Sequence, residues 1–115
     1  MNTDELIPVK KKQKRPQARL HAIYVITNIL NGEQYVGMTI LGPGKPYIWL
    51  RRRIGKHVQR ATLENHDWNL CKAIREYGSE AFTFGLLEIV RGKATAHVRE
   101  LEYIREYNPI LNTFK

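Results

Sequence analysis

Apolar side chains recur with two different periods along this chain, and each change of period marks a new element. HAIYVITN (21–28) and EQYVGM (33–38) are rich in β-branched and aromatic residues, and Leu30-Asn31-Gly32 separates them. Two such runs around an Asn-Gly turn predict a β-hairpin. FTFGLLEIV (82–90) is a third short apolar run, and it is typical of a strand.

Between the second and third strands, the apolar period changes to that of a helix. A helix over about 47–61 carries Arg53 and His57 on a stripe beside its apolar face, because residues four apart are neighbours on a helix. A second helix is predicted over 67–77, with Gly78 as a left-handed cap. The apolar face of the first helix comprises Tyr47, Leu50, Ile54, Val58 and Ala61.

A third helix is predicted after Gly92, with Thr95 as its N-cap. The resulting order, ββααβα, predicts an α+β fold with a small three-stranded antiparallel sheet and about three helices. A chain of 115 residues has room for one compact domain. We expect a flexible basic N-terminal arm at 1–19 and one folded domain at 20–115.

The chain offers no sign of a membrane segment or of a structural metal. Its opening MNTDELIPVKKK lacks a signal-peptide core, and no apolar run approaches the roughly 18 residues that cross a bilayer. The single Cys71 and the four scattered histidines do not have zinc-ligand spacing. We therefore expect a cytoplasmic protein without membrane partners.

Charge is concentrated in two blocks. The chain has a net charge of +8, and residues 1–20 hold six basic and two acidic side chains, whereas residues 45–60 hold six basic and none acidic. Such blocks attract phosphates and release their counterions, so a nucleic acid partner is expected. The predicted nucleic-acid-binding residues are Lys10, Lys11, Lys12, Lys14, Arg15, Lys45, Arg51, Arg52, Lys56 and Arg60.

A series of short motifs then narrows the function. Ala22-Ile23-Tyr24 precedes Tyr35-Val36-Gly37 by eleven residues, and Arg53-x-x-x-His57 follows. Next come an Asn at 65 or 69 with A-I-x-x-Y-G, then F-x-x-x-x-L-E, R-E-x-x-Y-I at 99–104, and Asn112. Over residues 21–112 this order resembles the GIY-YIG nucleases. Ala22 and Val36 depart from the family's Gly and Ile by small changes that suit a strand.

The resemblance implies a DNA endonuclease that hydrolyses phosphodiester bonds with one divalent metal ion. Glu100 matches the family's metal-binding glutamate, and a hard oxygen ligand suits Mg²⁺, with Mn²⁺ as a substitute. Arg53 matches the family arginine, whose guanidinium suits a phosphate oxygen. Tyr24 and Tyr35 match the signature tyrosines that position or deprotonate the attacking water.

His57 would assist proton movement or phosphate contact, and Gly37 and Asn112 are predicted supporting residues. The implied partner is double-stranded DNA, bound by a monomer or a homodimer. A stand-alone nuclease domain of this kind is expected in a bacterial or phage-infected cell.

Helix geometry favours Glu100 over its acidic neighbours without any appeal to the family. Glu100 shares a helix face with His97, Tyr103, Ile104 and Tyr107, whereas Glu102 neighbours Arg99, Arg105 and Glu106. A carboxylate among aromatic residues needs a compensating charge, which a metal ion supplies.

Simpler interpretations of the same residues remain. Tyr24 and Tyr35 suit a cross-strand aromatic pair, Arg53 and His57 a solvated basic face, and Glu100 a surface ion pair. The corresponding alternatives in function are a non-catalytic nucleic-acid-binding module on the same fold and an RNA-associated structural protein.

Further positions keep two interpretations. Gly37 either supports the site or only marks a strand end, and Asn112 either acts in the site or, as we expect, braces it from a loop or cap. The segment LGPGKPYIW (41–49) resembles an insertion, predicted to be a DNA-reading loop. Within it, Trp49 either contacts DNA or anchors the first helix.

Overall fold

The computed structural model describes residues 18–64, 66 and 68–113, and within them the predicted ββααβα order is confirmed. A single 3₁₀ turn at Ser79–Ala81 precedes the third strand. Most of the predicted basic arm lies outside the described residues, including Lys10, Lys11, Lys12, Lys14 and Arg15. The elements are β1 Leu20–Asn28, β2 Gln34–Ile40, α1 Pro46–Thr62, α2 Asn69–Tyr77, β3 Phe82–Arg91 and α3 Lys93–Tyr107.

The three strands form one antiparallel sheet, as predicted, and their order in it is β2-β1-β3. The hairpin between β1 and β2 closes through Gly32, whose φ of +80° suits a residue without a Cβ and whose N–H donates to the Asn28 carbonyl at 2.7 Å. The pairing of β1 with β3 shifts register between Ile23 and Tyr24. Since β1 is central, its side chains are among the most deeply buried in the protein.

The sheet separates two apolar cores, because side chains alternate between its faces. On one face, Ala22, Tyr24 and Ile26 of β1 pack with α1 and α2. On the other face, Ile23 packs with residues of α3, among them Ile104. The fold is therefore a helix–sheet–helix arrangement in which α1 and α3 lie on opposite faces. In the described part of the chain, none of the helices has the length and apolarity to cross a membrane.

The buried face of α1 differs from the predicted one. Leu50 and Ala61 are buried as expected, but Tyr47 is 55% exposed, while His57 is buried. The helix is thus rotated toward the His57 stripe, because the imidazole has a hydrogen-bonding partner inside the core. Apolar periodicity alone treats a histidine as a polar residue and cannot include it in the buried face.

Two predicted helix ends need correction. Thr95 is not the N-cap of α3: the helix starts two residues earlier at Lys93, and Gly92 is the capping residue with a φ of +93°. Gly78 does end α2 with a positive φ, but its ψ of 148° lies outside the left-handed helical region. Asn65 and Asp67 lie outside the described residues, and α2 begins at Asn69.

The segment 41–49 is half loop and half helix, since α1 begins at Pro46. Within it, Trp49 anchors the loop: its indole Nε1–H donates to the Pro43 carbonyl at 2.9 Å. Its ring also packs so closely on Gly42 that a Cβ at residue 42 would lie 2.2 Å from an indole carbon. Of the two interpretations of Trp49, the structure therefore favours the anchor. A DNA-reading role for the loop stays a prediction.

The C-terminal segment is fastened to β2 by one side chain. Asn112 is buried, and its carboxamide accepts a hydrogen bond from the Val36 N–H and donates one to the Val36 carbonyl, each at 2.9 Å. Both backbone groups of Val36 lie on the edge of the sheet, where no further strand serves them. Asn112 therefore takes the place of a fourth strand at this residue.

We predict that Asn112→Leu lowers the free energy of unfolding by roughly 3 kcal/mol, because it leaves a buried N–H and a buried C=O without partners. Asn112→Asp should fall between this variant and the wild type, since a carboxylate accepts from the Val36 N–H but donates nothing to its carbonyl. Urea unfolding monitored by circular dichroism measures the three values.

The matched control is Asn69→Ala. Asn69 is exposed and reaches the same C-terminal segment through a hydrogen bond of 3.4 Å to the Ile110 carbonyl. Loss of this contact should cost well under about 1 kcal/mol. Equal losses for Asn69→Ala and Asn112→Leu would contradict the special role of the buried carboxamide.

Candidate active site

Three predicted site residues meet at the buried hydroxyl group of Tyr24. Tyr24 has no exposed surface, and its hydroxyl lies 2.9 Å from His57 Nε2 and 3.4 Å from Arg53 Nε. Arg53 and His57 both project from α1, one turn apart, so the helix presents them side by side to the centre of β1. The strand and the helix are thus joined by a polar contact inside the core.

The donors limit where the protons of this contact lie. An arginine Nε can only donate, so the Tyr24 oxygen accepts from Arg53. The Tyr24 hydrogen can be directed to His57 Nε2, which accepts it when the imidazole is neutral and carries its hydrogen on Nδ1. Burial, followed by the charges of Arg53 and Arg60, lowers the pKa of His57 to about 4, in agreement with this assignment. Burial raises the pKa of the Tyr24 phenol, which is therefore protonated in the free protein.

Tyr35 completes an aromatic cluster around the same point. Its ring centroid lies 5.1 Å from that of His57, edge to face, and 6.3 Å from that of Tyr24. Gly37 makes this cluster possible: a Cβ there would lie 2.7 Å from the Tyr24 hydroxyl oxygen and 2.8 Å from the Tyr35 ring. Gly37 lies within β2, opposite Tyr24, so the alternative interpretation that it only marks a strand end is wrong.

Glu100 approaches the cluster from α3, on the other face of the sheet. Its side chain is 17% exposed, and burial raises the pKa of its carboxyl. The charges of His97 and then Arg53 oppose this rise, and the Glu100 charge in turn raises the pKa of Tyr24 and Tyr35. Because β2 is an edge strand, side chains from the two faces can meet beside it.

Glu100 differs from two nearby acids in the kind of ion-pair partner that it has. Glu88 and Glu102 both form ion pairs with Arg99, whereas the ion-pair partner of Glu100 is His97 at 3.4 Å. In the described residues no lysine or arginine pairs with Glu100. A half-buried carboxylate with this environment suits a divalent cation, which would compensate its charge.

Among the described residues, Glu100 is the carboxylate that this site offers to a divalent ion. No cluster of three or more His, Cys, Asp or Glu side chains occurs within residues 18–64, 66 and 68–113. Glu100 supplies a single hard oxygen ligand, and the remaining positions would be left to water and substrate oxygens. This pattern fits Mg²⁺ or Mn²⁺, which keep several waters, better than a fully protein-bound metal.

A basic groove borders the cluster on the outer side of α1. It has a volume of about 600 Å³ and is lined by Arg52, Arg53 and Lys56 together with Thr39, Trp49 and other residues, none of them acidic. Of the predicted nucleic-acid-binding residues, Lys45, Arg51, Arg52 and Lys56 are exposed. Arg60 is half-buried instead, and its charge contributes to the lowered pKa of His57 and opposes the rise that burial causes in the pKa of Tyr35.

Some residues that shape the site were not predicted to do so. Trp68 was assigned only to the second helix, yet it stacks on His66 with ring centroids 4.5 Å apart and lies beneath the Arg60 guanidinium. Arg99 fixes α3 to β3 through Glu88, and the Tyr103 hydroxyl donates to the same carboxylate at 2.9 Å. Tyr103 therefore faces this ion-pair cluster. No sequence signal distinguishes these contacts from ordinary surface pairs.

Comparisons with known proteins agree with this geometry. Residues 20–115 match the family model of the GIY-YIG catalytic domain. A solved structure of the catalytic domain of homing endonuclease I-TevI is 26% identical, with a TM-score of 0.60 over 80% of this chain and 92% of that one. A mutant of that domain is 20% identical, with a TM-score of 0.60 over 87% and 93% of the two chains, and supports the fold alone. The curated proteins include no significant match.

We predict that His57 makes the protein less stable as the pH falls from about 6.5 to about 4. The unfolded chain binds a proton at His57 below its ordinary pKa of 6.5, whereas the folded protein binds it only near pH 4. Protonation therefore favours unfolding throughout this window, by about 3 kcal/mol at its lower end. Urea unfolding at several pH values measures this loss.

His57→Gln is the reference, because glutamine can still accept the Tyr24 hydrogen but does not titrate. The loss of unfolding free energy attributed to His57 is the difference between the pH profiles of the two proteins. Glu100 contributes with the opposite sign, but it is present in both proteins, so its contribution cancels in the difference. Parallel profiles between pH 4 and 6.5 would show that His57 is not held neutral in the folded protein.

Proposed function

The chain belongs to the GIY-YIG catalytic-domain family and is an endonuclease, and from this premise we propose that it hydrolyses DNA phosphodiester bonds with one divalent metal ion. The observation that carries the proposal is the meeting of Tyr24, Tyr35, Arg53 and His57 beside a basic groove, where the Glu100 charge acts on both tyrosines. No polar side chain that the chemistry needs is missing from this cluster.

We propose that the groove along α1 binds the DNA backbone. Arg51, Arg52 and Lys56 are exposed on α1, and no carboxylate pairs with them in the described part of the chain. Their charges are thus free to replace the counterions of successive phosphates, which is the main source of affinity for double-stranded DNA. Arg53 lies where this groove meets the Tyr24 hydroxyl, so it would contact the scissile phosphate.

Arg53 would stabilise charge that develops during the reaction. Only its Nε–H contacts Tyr24, so the terminal nitrogens of its guanidinium are available to a phosphate oxygen. Attack of water on phosphorus increases the charge on the non-bridging oxygens, and a half-buried guanidinium is worth most at that stage. Arginine suits this position because its planar fork can hold two oxygens at once.

Tyr24 and His57 would carry the proton of the attacking water. As the water oxygen bonds to phosphorus, its proton passes to the Tyr24 oxygen while the Tyr24 hydrogen passes to His57 Nε2. The phenol thereby stays neutral, which is consistent with the raised pKa of Tyr24. A bound phosphate would also offset the charges of Arg53 and Arg60 and so raise the pKa of His57 toward neutrality.

Glu100 would hold the metal ion. When bound, this ion would supply positive charge to the phosphate and to the leaving oxygen. The half-buried carboxylate, without a lysine or arginine partner in the described residues, is the feature of this chain that supports the assignment. Mg²⁺ is the proposed ion, with Mn²⁺ as a substitute.

The alternative function is a nucleic-acid-binding module without turnover. It accounts for the basic groove but gives no reason for a buried Tyr24–His57 contact or for a half-buried Glu100 without a lysine or arginine partner in the described residues. Incubation of supercoiled plasmid with the protein, with Mg²⁺ or with EDTA, separates the two. The endonuclease yields nicked or linear DNA in Mg²⁺, and a binding module leaves the plasmid supercoiled.

We predict that Glu100→Gln abolishes cleavage while DNA affinity stays equal or improves, because the variant loses the metal ligand and also a negative charge near the phosphate. Single-turnover cleavage in Mg²⁺ and a filter-binding titration provide the two measurements. Glu102→Gln is the matched control: Glu102 lies two residues away and pairs with Arg99 on the exposed side of α3. It should cut at close to the wild-type rate.

The two variants test both the helix register and the chemistry. An active Glu100→Gln protein beside an inactive Glu102→Gln protein would overturn the metal site. Full activity in both would place the catalytic centre elsewhere.

We further predict that Arg53→Ala slows single-turnover cleavage by at least about 100-fold and weakens DNA binding much less, because its contact strengthens as charge develops. The control is Arg51→Ala, which removes an exposed charge from the same helix and should weaken binding with little effect on the rate of bound substrate. The opposite pattern, with normal cleavage of bound DNA by Arg53→Ala, would make Arg53 a docking residue.

A further inference from the structure

A second cavity shares two residues, Tyr35 and His57, with the cluster. It has a volume of about 270 Å³ and lies between the end of α1, the start of α2, Tyr35 of β2 and the C-terminal segment. The other lining residues are the apolar Leu70, Cys71 and Leu111, together with Arg60, Trp68, Asn112 and Thr113. The proposed mechanism gives this cavity no role.

The lining favours a flat, apolar ring over a phosphate. Leu70 and Leu111 are almost fully buried and offer no polar atoms. The two polar groups of the C-terminal wall are engaged, since the Asn112 carboxamide bonds Val36 and the Thr113 hydroxyl accepts from the Asn69 N–H at 3.1 Å. A volume near the lower end of the usual range for small ligands, about 300–1,000 Å³, suits a single heterocycle.

The remaining lining groups are those that bind π systems. The indole of Trp68 is 41% exposed, and His66, stacked on it within 5° of parallel, holds it in place without lining the cavity. The Arg60 guanidinium lies 5.5 Å from the indole centroid. A planar ligand could replace this contact by stacking on the indole or on the guanidinium. Aromatic rings and arginine planes are the surfaces on which unstacked bases rest.

We propose that this cavity binds one unstacked nucleobase adjacent to the scissile phosphate. The proposal rests on the proposed endonuclease function, because Tyr35 and His57 belong both to the proposed catalytic cluster and to the cavity. A base next to a phosphate held at Arg53 would lie within one nucleotide of the cut. It can enter the cavity only after leaving the duplex stack.

This requirement defines a class of preferred substrate. Extrusion of a base costs least where the base is mismatched or unpaired. Duplexes with a mismatch beside the cleavage position should therefore bind more tightly than fully paired duplexes of the same sequence context. The preference should depend on Trp68, which offers the stacking surface, and not on the basic groove, which tracks the backbone of either substrate alike.

The experiment measures the coupling between a mismatch and Trp68. Cleavage of a matched duplex by the wild-type protein first locates the cut. Binding of matched and mismatched duplexes is then measured by fluorescence anisotropy with the full chain carrying Glu100→Gln, in Mg²⁺, so that no DNA is cut. We expect the mismatch to tighten binding about tenfold, and Trp68→Leu to remove this gain while matched-duplex affinity changes little.

Two further variants exclude a general loss of structure. Trp68→Phe keeps an aromatic surface and should keep the gain. Leu63→Ala removes a 79% exposed apolar side chain from the turn after α1 and should behave as the parent protein. A fluorescent 2-aminopurine placed beside the cut should report unstacking in the parent and lose that signal in Trp68→Leu.

The outcomes distinguish this inference from the function on which it rests. No cleavage of any duplex by the wild-type protein would count against the endonuclease itself. If the wild-type protein cleaves normally but a mismatch does not tighten binding, the base site alone is overturned. The same holds if the mismatch tightens binding equally in Trp68→Leu and in its parent. A gain lost equally in Trp68→Leu and Leu63→Ala would also overturn it, because the effect would then be unspecific.

Discussion

The buried hydroxyl group of Tyr24 is the constraint from which the arrangement of the site follows. A phenol at the centre of a sheet must have hydrogen-bonding partners, because burial without them costs several kcal/mol. Both partners, Arg53 and His57, come from α1, one turn apart. Any rotation of α1 about its axis would leave the hydroxyl without a partner. The helix that carries the basic groove is therefore held in one orientation relative to the sheet, and Arg53 is aimed at the place where the groove ends.

The space around this hydroxyl depends on β2 and on what holds β2 in place. Gly37 lies opposite Tyr24 and leaves room for both signature tyrosines, which a Cβ would displace. Its neighbour Val36 is held by Asn112, a residue 76 positions later in the chain. The edge strand is thus supported at the residue beside the glycine, where the absence of a side chain would otherwise weaken packing. The geometry of the site therefore depends on a contact made by the last residues of the described chain.

Local sequence patterns were enough to predict the strands and helices, because strand runs, helical spacing and the Asn-Gly turn depend on residues close in sequence. These patterns were not enough where a residue distant in sequence decides which side chain is buried or where a helix begins. His57 was placed beside the apolar face of α1, but a hydrogen bond from Tyr24 makes it part of the buried face. Thr95 suits an N-cap by residue type, yet Gly92 allows α3 to start earlier. The cavity beside Trp68 is lined by four segments that are separate in sequence, so no pattern within one segment predicts it.

Two adjacent charged residues of α3, Arg99 and Glu100, differ in how far the protein compensates their charges. This difference distinguishes a residue that holds the fold together from one that is available for chemistry. Arg99 pairs with Glu88 and Glu102 and receives further support from Tyr103, so its charge is compensated inside the protein. Glu100, the next residue, is more buried but has only His97 as an ion-pair partner in the described residues. Arg53, whose charge reaches Glu100, forms no ion pair there either. The charge of Arg53 opposes the rise in the pKa of Glu100, so the two charges attract each other without forming an ion pair in the described residues. A metal ion at Glu100 and a phosphate at Arg53 would each place an opposite charge beside one of them.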